Sequence, residues 1–209
     1  MSEPSRRRDA QRNDERILAA AREVFSSVGP DAPVALIAER AGIGVGSLYR
    51  RFPGKGDLMR ELVLRNIETS GAEAELALSD PDPWAAFERF FHACVDRGLS
   101  GAPRPGRDFA VTDDVLAASR AARAQVQALV DRAQAAGELR PDVNVNDVVV
   151  LLGGLRELSD AEAVASPALR ARMIGVILDG LRVGPPRELP APPQTWRHIR
   201  AIWRPKRDG

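Results

Sequence analysis

Residues 41–52 read AGIGVGSLYRRF, with glycines at 42, 44 and 46. Side-chain-free positions at this density permit few local structures. One is a loop whose bare backbone N–H groups cradle the phosphates of a nucleotide. The other is a tight turn between two short helices, the second of which is offered to DNA. The first makes the chain a nucleotide binder or enzyme, the second a gene regulator.

The phosphate cradle fails on residues and on context. A dinucleotide fingerprint needs G-x-G-x-x-G after a strand. Counted from Gly42 the third glycine position is Ser47, and counted from Gly44 it is Tyr49. The preceding LIAERA is helical in pattern rather than extended. A Walker-type loop needs Lys followed by Ser or Thr at the helix start, where Leu48 and Tyr49 stand. The helix-turn-helix passes a stricter test. A small residue must sit where the helices touch (Ala38), a residue tolerant of positive φ must turn the chain four positions on (Gly42), and an apolar residue must return to the core (Leu48). Ile37, Ala41 and Ile43 fill the remaining inward positions.

The flanking chain follows helical grammar almost throughout. In DERILAAAREVFSSVG, Ile17, Ala21, Val24, Phe25 and Val28 recur at three- and four-residue steps, with Gly29 as a stop. VALIAERAG predicts a helix of about two turns, capped by Asp31 with Pro33 in its first turn. VGSLYRRF follows the glycine turn and closes at Pro53-Gly54, and KGDLMRELVLRNIE opens a longer helix. Asp82 and Pro83 start WAAFERFFHACVDRG, which Gly98 ends. Thr112, followed by Asp113 and Asp114, begins an alanine-rich stretch running to Gly137, with room for one break near Ser119. NDVVVLLGGLREL is apolar nearly all round and belongs in the interior on several sides. Ser166 and Pro167 open a last long helix, closed by Gly184, Pro185 and Pro186. The expectation is an all-α fold of about nine helices: a three-helix helix-turn-helix head and a larger helical body.

LIAERAGIGVGSLYRRFPGKGDL closely resembles the DNA-binding segment of TetR-type repressors, whose pattern runs roughly I-A-x-x-A-G-V-S-x-G-[ST]-L-Y-x-H-F-x-x-K-x-x-L. The matching residues are Ile37, Ala38, Ala41, Gly42, Gly46, Ser47, Leu48, Tyr49, Phe52, Lys55 and Leu58. Three positions depart from it. Gly44 replaces a capping Ser, a change worth only a few tenths of a kcal/mol at such a site. Val45 stands where polar or basic residues are frequent, and Arg51 stands where His is usual. The resemblance implies that 45–51 enters a major groove. The expected DNA-binding set is Val45, Gly46, Ser47, Tyr49, Arg50, Arg51 and Lys55. Arg50 suits a bidentate contact to guanine, Val45 a methyl contact to thymine, Ser47 and Tyr49 phosphate through their hydroxyls, and Lys55 phosphate through its ammonium. Arg6, Arg7 and Arg8 suit either a flexible arm reaching a minor groove or a solvated tail.

A reading helix this short covers only a few base pairs, so a homodimer on palindromic double-stranded DNA is expected. The resemblance implies a four-helix dimer bundle from the last two long helices, about 146–158 and 167–182, using Val148, Leu151, Leu152, Leu155, Leu169, Met173, Val176 and Ile177. It also implies a small-molecule effector. Trp84, Phe87, Phe91 and His92 are the candidate pocket wall, but as core packing the rings need no ligand, and packing is the leading reading. The expected divisions are 1–55 for the arm and DNA-binding head, 56–184 for the effector and dimer body, and 185–209 for a Pro-rich basic tail carrying Trp196, Ile199 and Trp203.

Charge and composition narrow the alternatives. Residues 1–65 carry 12 Arg/Lys against 9 Asp/Glu, residues 66–183 carry 12 against 18, and residues 184–209 carry 6 against 2. A basic front on an acidic body suits a polyanion met only at the front. There is no apolar run to span a bilayer and no apolar leader after MSEPSRRRDAQRNDER, and the single cysteine, Cys94, fits a reducing compartment, so a cytoplasmic location is expected. No G-x-S-x-G, metal-ligand spacing or cofactor fingerprint is present; no catalytic residue, metal or cofactor is expected. The leading reading is a sequence-specific transcriptional regulator, a repressor released by an effector. The alternatives are a small-molecule carrier of the same fold that has lost operator binding, and an enzyme on a helical scaffold.

Overall fold

The computed structural model describes residues 3–97, 109–159, 167–184 and 195, with side chains from residue 12 to 155 and from 167 onward within those ranges. Among them are eight helices: α1 (Glu3–Ser27), α2 (Val34–Arg40), α3 (Val45–Arg51), α4 (Lys55–Ala77), α5 (Pro83–Asp96), α6 (Asp113–Ala135), α7 (Val145–Ser159) and α8 (Pro167–Leu181). The only strand-like pairing among them is one isolated antiparallel bridge, Leu139 to Arg182. The all-helical expectation therefore holds, with eight helices where about nine were anticipated. Gly98, Ser166, Pro185, Pro186 and the tail residues Trp196, Ile199 and Trp203 lie outside the described residues.

Three local expectations change. The helix after Gly29 begins at Val34 with Pro33 as its cap residue, and no side chain caps it. Asp31 is too early, because the proline holds the residue before it extended. Ser119 does not break α6: its hydroxyl donates to the Val115 carbonyl one turn back, at 2.7 Å, so the helix runs on. At the other end of the chain, α1 starts at Glu3 and incorporates Arg6, Arg7 and Arg8, so the stretch left open between a flexible arm and a solvated tail is helical backbone. Pro4 fits because first-turn N–H groups need no helical partner.

The described residues divide into two compact units, one formed by residues 3–63 with 109–111, the other by 64–97, 112–159, 167–184 and 195. In the first, α1 packs on α2 and α2 on α3. Most of the inward positions anticipated from the sequence are buried here: Ile17, Ala21, Val24, Phe25, Ile37, Ala38, Ala41 and Leu48, joined by Phe52, Leu58 and Leu62, whereas Ile43 is half-buried and Val28, just past the end of α1, is exposed.

In the second unit α5, α6 and α7 pack mutually. Asp82 caps α5 as expected, accepting from the N–H groups of Trp84 and Ala85 at 2.8 and 3.0 Å, with Pro83 in the first turn. One apolar cluster joins Ala74 and Ala77 of α4, Trp84, Phe87, Phe90 and Phe91 of α5, Leu129 and Val130 of α6, Val148, Leu152 and Leu155 of α7, and Ile174, Leu178 and Leu181 of α8. Gly71 marks the closest approach of α4 and α6, since a Cβ there would lie 3.2 Å from both the Cα and the Cβ of Ala122. Arg132 ties down the turn between α4 and α5 by donating to the carbonyls of Leu78, Asp80 and Pro81. The end of α8 is fastened to the segment after α6: Arg140 N–H donates to Leu181 O and Val183 N–H to Glu138 O, while Arg182 pairs with Glu138 at 2.9 Å and covers the Trp84 ring at 4.7 Å.

Cys94 belongs to this core, with its sulfur 3.8 Å from the Ser70 hydroxyl. Burial is the main reason its thiol is pushed up from 9.0 to about 12. Only about one molecule in ten thousand then carries thiolate at pH 8. A disulfide-exchange reagent at pH 8 is expected to label Cys94 at the rate of unfolding and to label it at once in denaturant. Rapid stoichiometric labelling of the native chain would refute its placement as packing.

Candidate nucleic-acid interface

The turn between α2 and α3 is built from backbone hydrogen bonds that require one left-handed residue. Ala41 ends α2, Gly42 follows at φ +65°, and the chain reverses there. Ile43 N–H donates to Ala38 O at 3.0 Å and Gly42 N–H to Glu39 O at 3.0 Å. This pair of bonds is the Schellman arrangement, which satisfies the last carbonyls of the helix. Arg16 of α1 adds a third cap, donating to Ala41 O at 2.7 Å. Gly44 then sits extended at φ −72°, ψ 143° as the cap residue of α3, with no side-chain bond. Glu23 of α1 pairs with Arg40 of α2 at 2.8 Å on the surface.

α3 is seven residues long and buries one side chain, Leu48. Its other faces are open. Val45 is 39% and Tyr49 46% exposed, Gly46 and Arg50 are exposed, and Ser47 is half-buried. Arg50 donates to the Ser47 hydroxyl at 2.9 Å, so two of the anticipated contact residues hold each other in the unbound protein. Lys55 opens α4 with its ammonium 5.9 Å from the Phe25 ring centroid. Beside it Asp57 accepts from Gly54 N–H at 3.0 Å, half of a capping box. The expected set of Val45, Gly46, Ser47, Tyr49, Arg50 and Lys55 thus lies on one short helix and the start of the next.

Arg51 is placed differently. Its Nε donates to one oxygen of Asp14 and an Nη to the other, both at 2.7 Å, in a two-pronged pair with α1. Asp14 is buried. The hydrogen bond to Asp14 is the main reason the Arg51 pKa is raised. Neither Asp14 nor Arg16 figured among the residues singled out from the sequence. Their partners lie 37 and 25 positions away, and no local periodicity marks such a pair.

In the body, Trp84, Phe87 and Phe91 form a row along α5, with successive ring centroids 5.7 and 6.2 Å apart. All three are buried in the apolar cluster, and His92 is half-buried on the same helix. Of the side chains anticipated for a dimer surface, Val148, Leu152 and Leu155 face this same core instead. The reason is that α7 is apolar on several faces, and its own domain takes the one that carries these three residues. Val150, Leu169 and Val176 remain exposed, and Leu151, Met173 and Ile177 are partly buried. No group of three or more His, Cys, Asp or Glu among the described residues is arranged to hold a metal, and no helix among them is long and apolar enough to cross a membrane.

A helix held by its neighbours so that its polar face stays open, in a chain that also carries a separate helical body, is the arrangement of a helix-turn-helix DNA-binding regulator. Comparison with known proteins narrows this. Residues 17–62 match the family of bacterial regulatory proteins of the tetR type, and residues 82–183 match the C-terminal domain of SbtR-like transcriptional regulators. A TetR transcriptional regulator from Streptomyces coelicolor is 30% identical, over 81% of this chain and 98% of its own, with a TM-score of 0.51. A TetR transcription regulatory protein from Mycobacterium vanbaalenii is 31% identical, over 85% and 99%, with a TM-score of 0.57. The TetR-like regulator LfrR from Mycobacterium smegmatis, solved with proflavine, shares the fold at 22% identity, over 84% and 99%, with a TM-score of 0.63. No curated protein sequence matches the chain. The chain belongs to the TetR family of transcription regulators.

Replacing Gly42 with Ala puts a Cβ on a left-handed residue, and that Cβ would meet an Arg16 nitrogen at 3.1 Å. A loss of about 1–2 kcal/mol in urea unfolding is expected. Gly44→Ser has open space and supplies a cap, so it should stabilise by a few tenths of a kcal/mol at most. Equal effects at the two glycines would contradict the turn assignment.

Proposed function

We propose that this TetR-family regulator is a dimeric repressor that reads a palindromic operator through α3 and releases it when a small molecule binds the helical body. The observation that carries the reading is the arrangement of α3: Leu48 is held inside while Val45, Tyr49 and Arg50 stay open. Arg50 reads guanine in the major groove, exchanging its surface bond to Ser47 for two bonds to O6 and N7. Val45 offers methyl groups to thymine, and slim Gly46 lets the helix approach closely. Ser47, Tyr49 and Lys55 hold phosphates and so fix register rather than sequence. Arg51 stands apart from this set, because its Nε and one Nη are committed to Asp14.

Dimerisation uses the outer faces of α7 and α8. Exposed Val150, Leu169 and Val176 supply apolar area, and an added Cβ at Gly153, Gly154, Gly175 or Gly180 would meet nothing within 4 Å, so a second copy can come close. An effector bound against the Trp84, Phe87 and Phe91 row, with His92 nearby, would have to displace ring contacts, and that displacement couples ligand to body conformation. The protein acts in the cytoplasm and performs no catalysis on this reading.

Binding to the DNA upstream of its own gene should be tight, sequence-selective and steeply weakened by salt. Arg50→Ala should relax selectivity at one position per half-site, whereas Lys55→Ala should weaken all duplexes alike and reduce the salt slope by about one. Equal affinity for random duplex would leave the carrier reading in its place. Val176→Arg should give the sedimentation mass of a single 22.7 kDa chain, with operator binding lost at concentrations where the unaltered protein binds. An intact dimer in that variant would move the interface elsewhere.

A further inference from the structure

We infer that the Asp14–Arg51 pair is a clamp that sets the roll of α3 about its own axis, making both residues positioning residues for sequence reading. The inference rests on the DNA-reading function proposed for α3. It differs from the assignment that position 51 invites, a direct contact to the duplex.

A helix of two turns is poorly held by one side chain. Leu48 is the single buried residue of α3, and one apolar anchor permits rotation about the helix axis as well as tilt. Arg51 supplies the second anchor. At about 100° per residue, Leu48 and Arg51 lie about 60° apart around the axis, and Arg50 points about 160° away from the mouth of Leu48. Fixing Leu48 and Arg51 together therefore fixes where Arg50 points. The second anchor is stiff. The planar fork of the guanidinium meets both carboxylate oxygens at 2.7 Å, a geometry that tolerates little rotation and that lysine cannot reproduce. Its base is also stiff: Asp14 has 7% of its surface exposed and sits on α1, which packs on α2. At the other end Phe52 is buried directly after Arg51, and the guanidinium carbon lies 5.3 Å from its ring centroid. Base readout demands placement within roughly 0.5 Å and 10–20°, a tolerance that a single apolar contact does not secure.

The clamp has an electrostatic signature of its own. Arg51 paired with Asp14 is a neutral unit, so it releases no counterion when the duplex arrives. A phosphate contact at Arg51 would behave in the opposite way. Removing the Asp14 charge then separates the two: on charge alone it favours a polyanion, whereas loosening the clamp costs specific binding.

The test uses the full chain with Asp14→Asn, Arg51→Lys and Arg51→Gln. Two probes are compared across salt: the tightest duplex that the unaltered protein selects from a random pool, and a scrambled duplex. Melting curves and helical content establish that each variant is folded at the assay temperature. The expected result for Asp14→Asn and Arg51→Lys is a loss of about ten- to a hundredfold on the selected duplex, with the scrambled duplex bound as before or more tightly and the salt slope on the selected duplex unchanged. A merely stabilising role would lower the melting temperature and leave the ratio of the two affinities intact, which would overturn the inference. So would Arg51→Gln weakening both duplexes equally with a salt slope lower by about one, because that is a phosphate contact. Should Asp14→Asn fail to fold, Arg51→Lys decides alone, since it keeps the charge and removes the fork. If the unaltered protein selects no duplex, the DNA-reading function itself fails and the clamp with it. If it selects one that Arg51→Lys binds as well, only the clamp fails.

Discussion

A hydrogen bond from Ile43 N–H to Ala38 O closes the end of α2, and the position of α3 follows from it. The bond forms only if Gly42 enters the left-handed region, at φ +65°. Any residue with a Cβ pays for that backbone, and the neighbouring carbonyl of Ala41 is already taken by Arg16. Once the turn is set, Ala38 can sit fully buried and Leu48 can return to the same interior. The reading face is thus a consequence of chain reversal at one residue. Its chemistry is then free to vary, because Val45, Tyr49 and Arg50 carry little of the packing.

The head is too small to rely on apolar burial alone, and α1 compensates with polar contacts to both short helices. Arg16 caps α2, Glu23 meets Arg40 of α2, and Asp14 grips the end of α3. These are interactions of unequal kind. The Glu23–Arg40 pair is exposed on both sides and contributes little. The Asp14–Arg51 pair sets a buried carboxylate against a rigid fork, so its geometry is defined. In the body the balance is reversed: rings and branched side chains from α5 to α8, with alanines of α4, fill one interior, and the polar contacts of Arg132 fasten the turn between α4 and α5 at its margin. One unit is held for orientation, the other for bulk.

Much of this was legible in the sequence, and each exception has its own cause. Asp82 with Pro83 announced α5, and Gly42 announced the turn, because cap and turn chemistry acts within a few residues. The three- and four-residue spacing in α1 marked its buried face, except at Val28, which lies past the end of the helix. Asp31 failed as a cap because Pro33 fixed the chain between it and the helix. Ser119 failed as a break because its hydroxyl found a carbonyl in its own helix. The sides of α7 were not separable, since a segment apolar all round states that it is buried without stating against what. The bond from Arg51 to Asp14, 37 residues upstream, has no local signature in the sequence.

What the sequence by itself determined was the kind of structure: helices, their approximate ends, the reversal at Gly42, and a front richer in cations than the body. Periodicity, capping and backbone steric limits are local, so the residues that carry them lie beside one another in the chain. Only the tertiary structure decided that Arg51 meets Asp14 and which face of α7 meets its own core. Those outcomes depend on which groups meet across long chain separations, and a guanidinium offers the same fork to a buried aspartate as to a phosphate until folding brings one of them within reach.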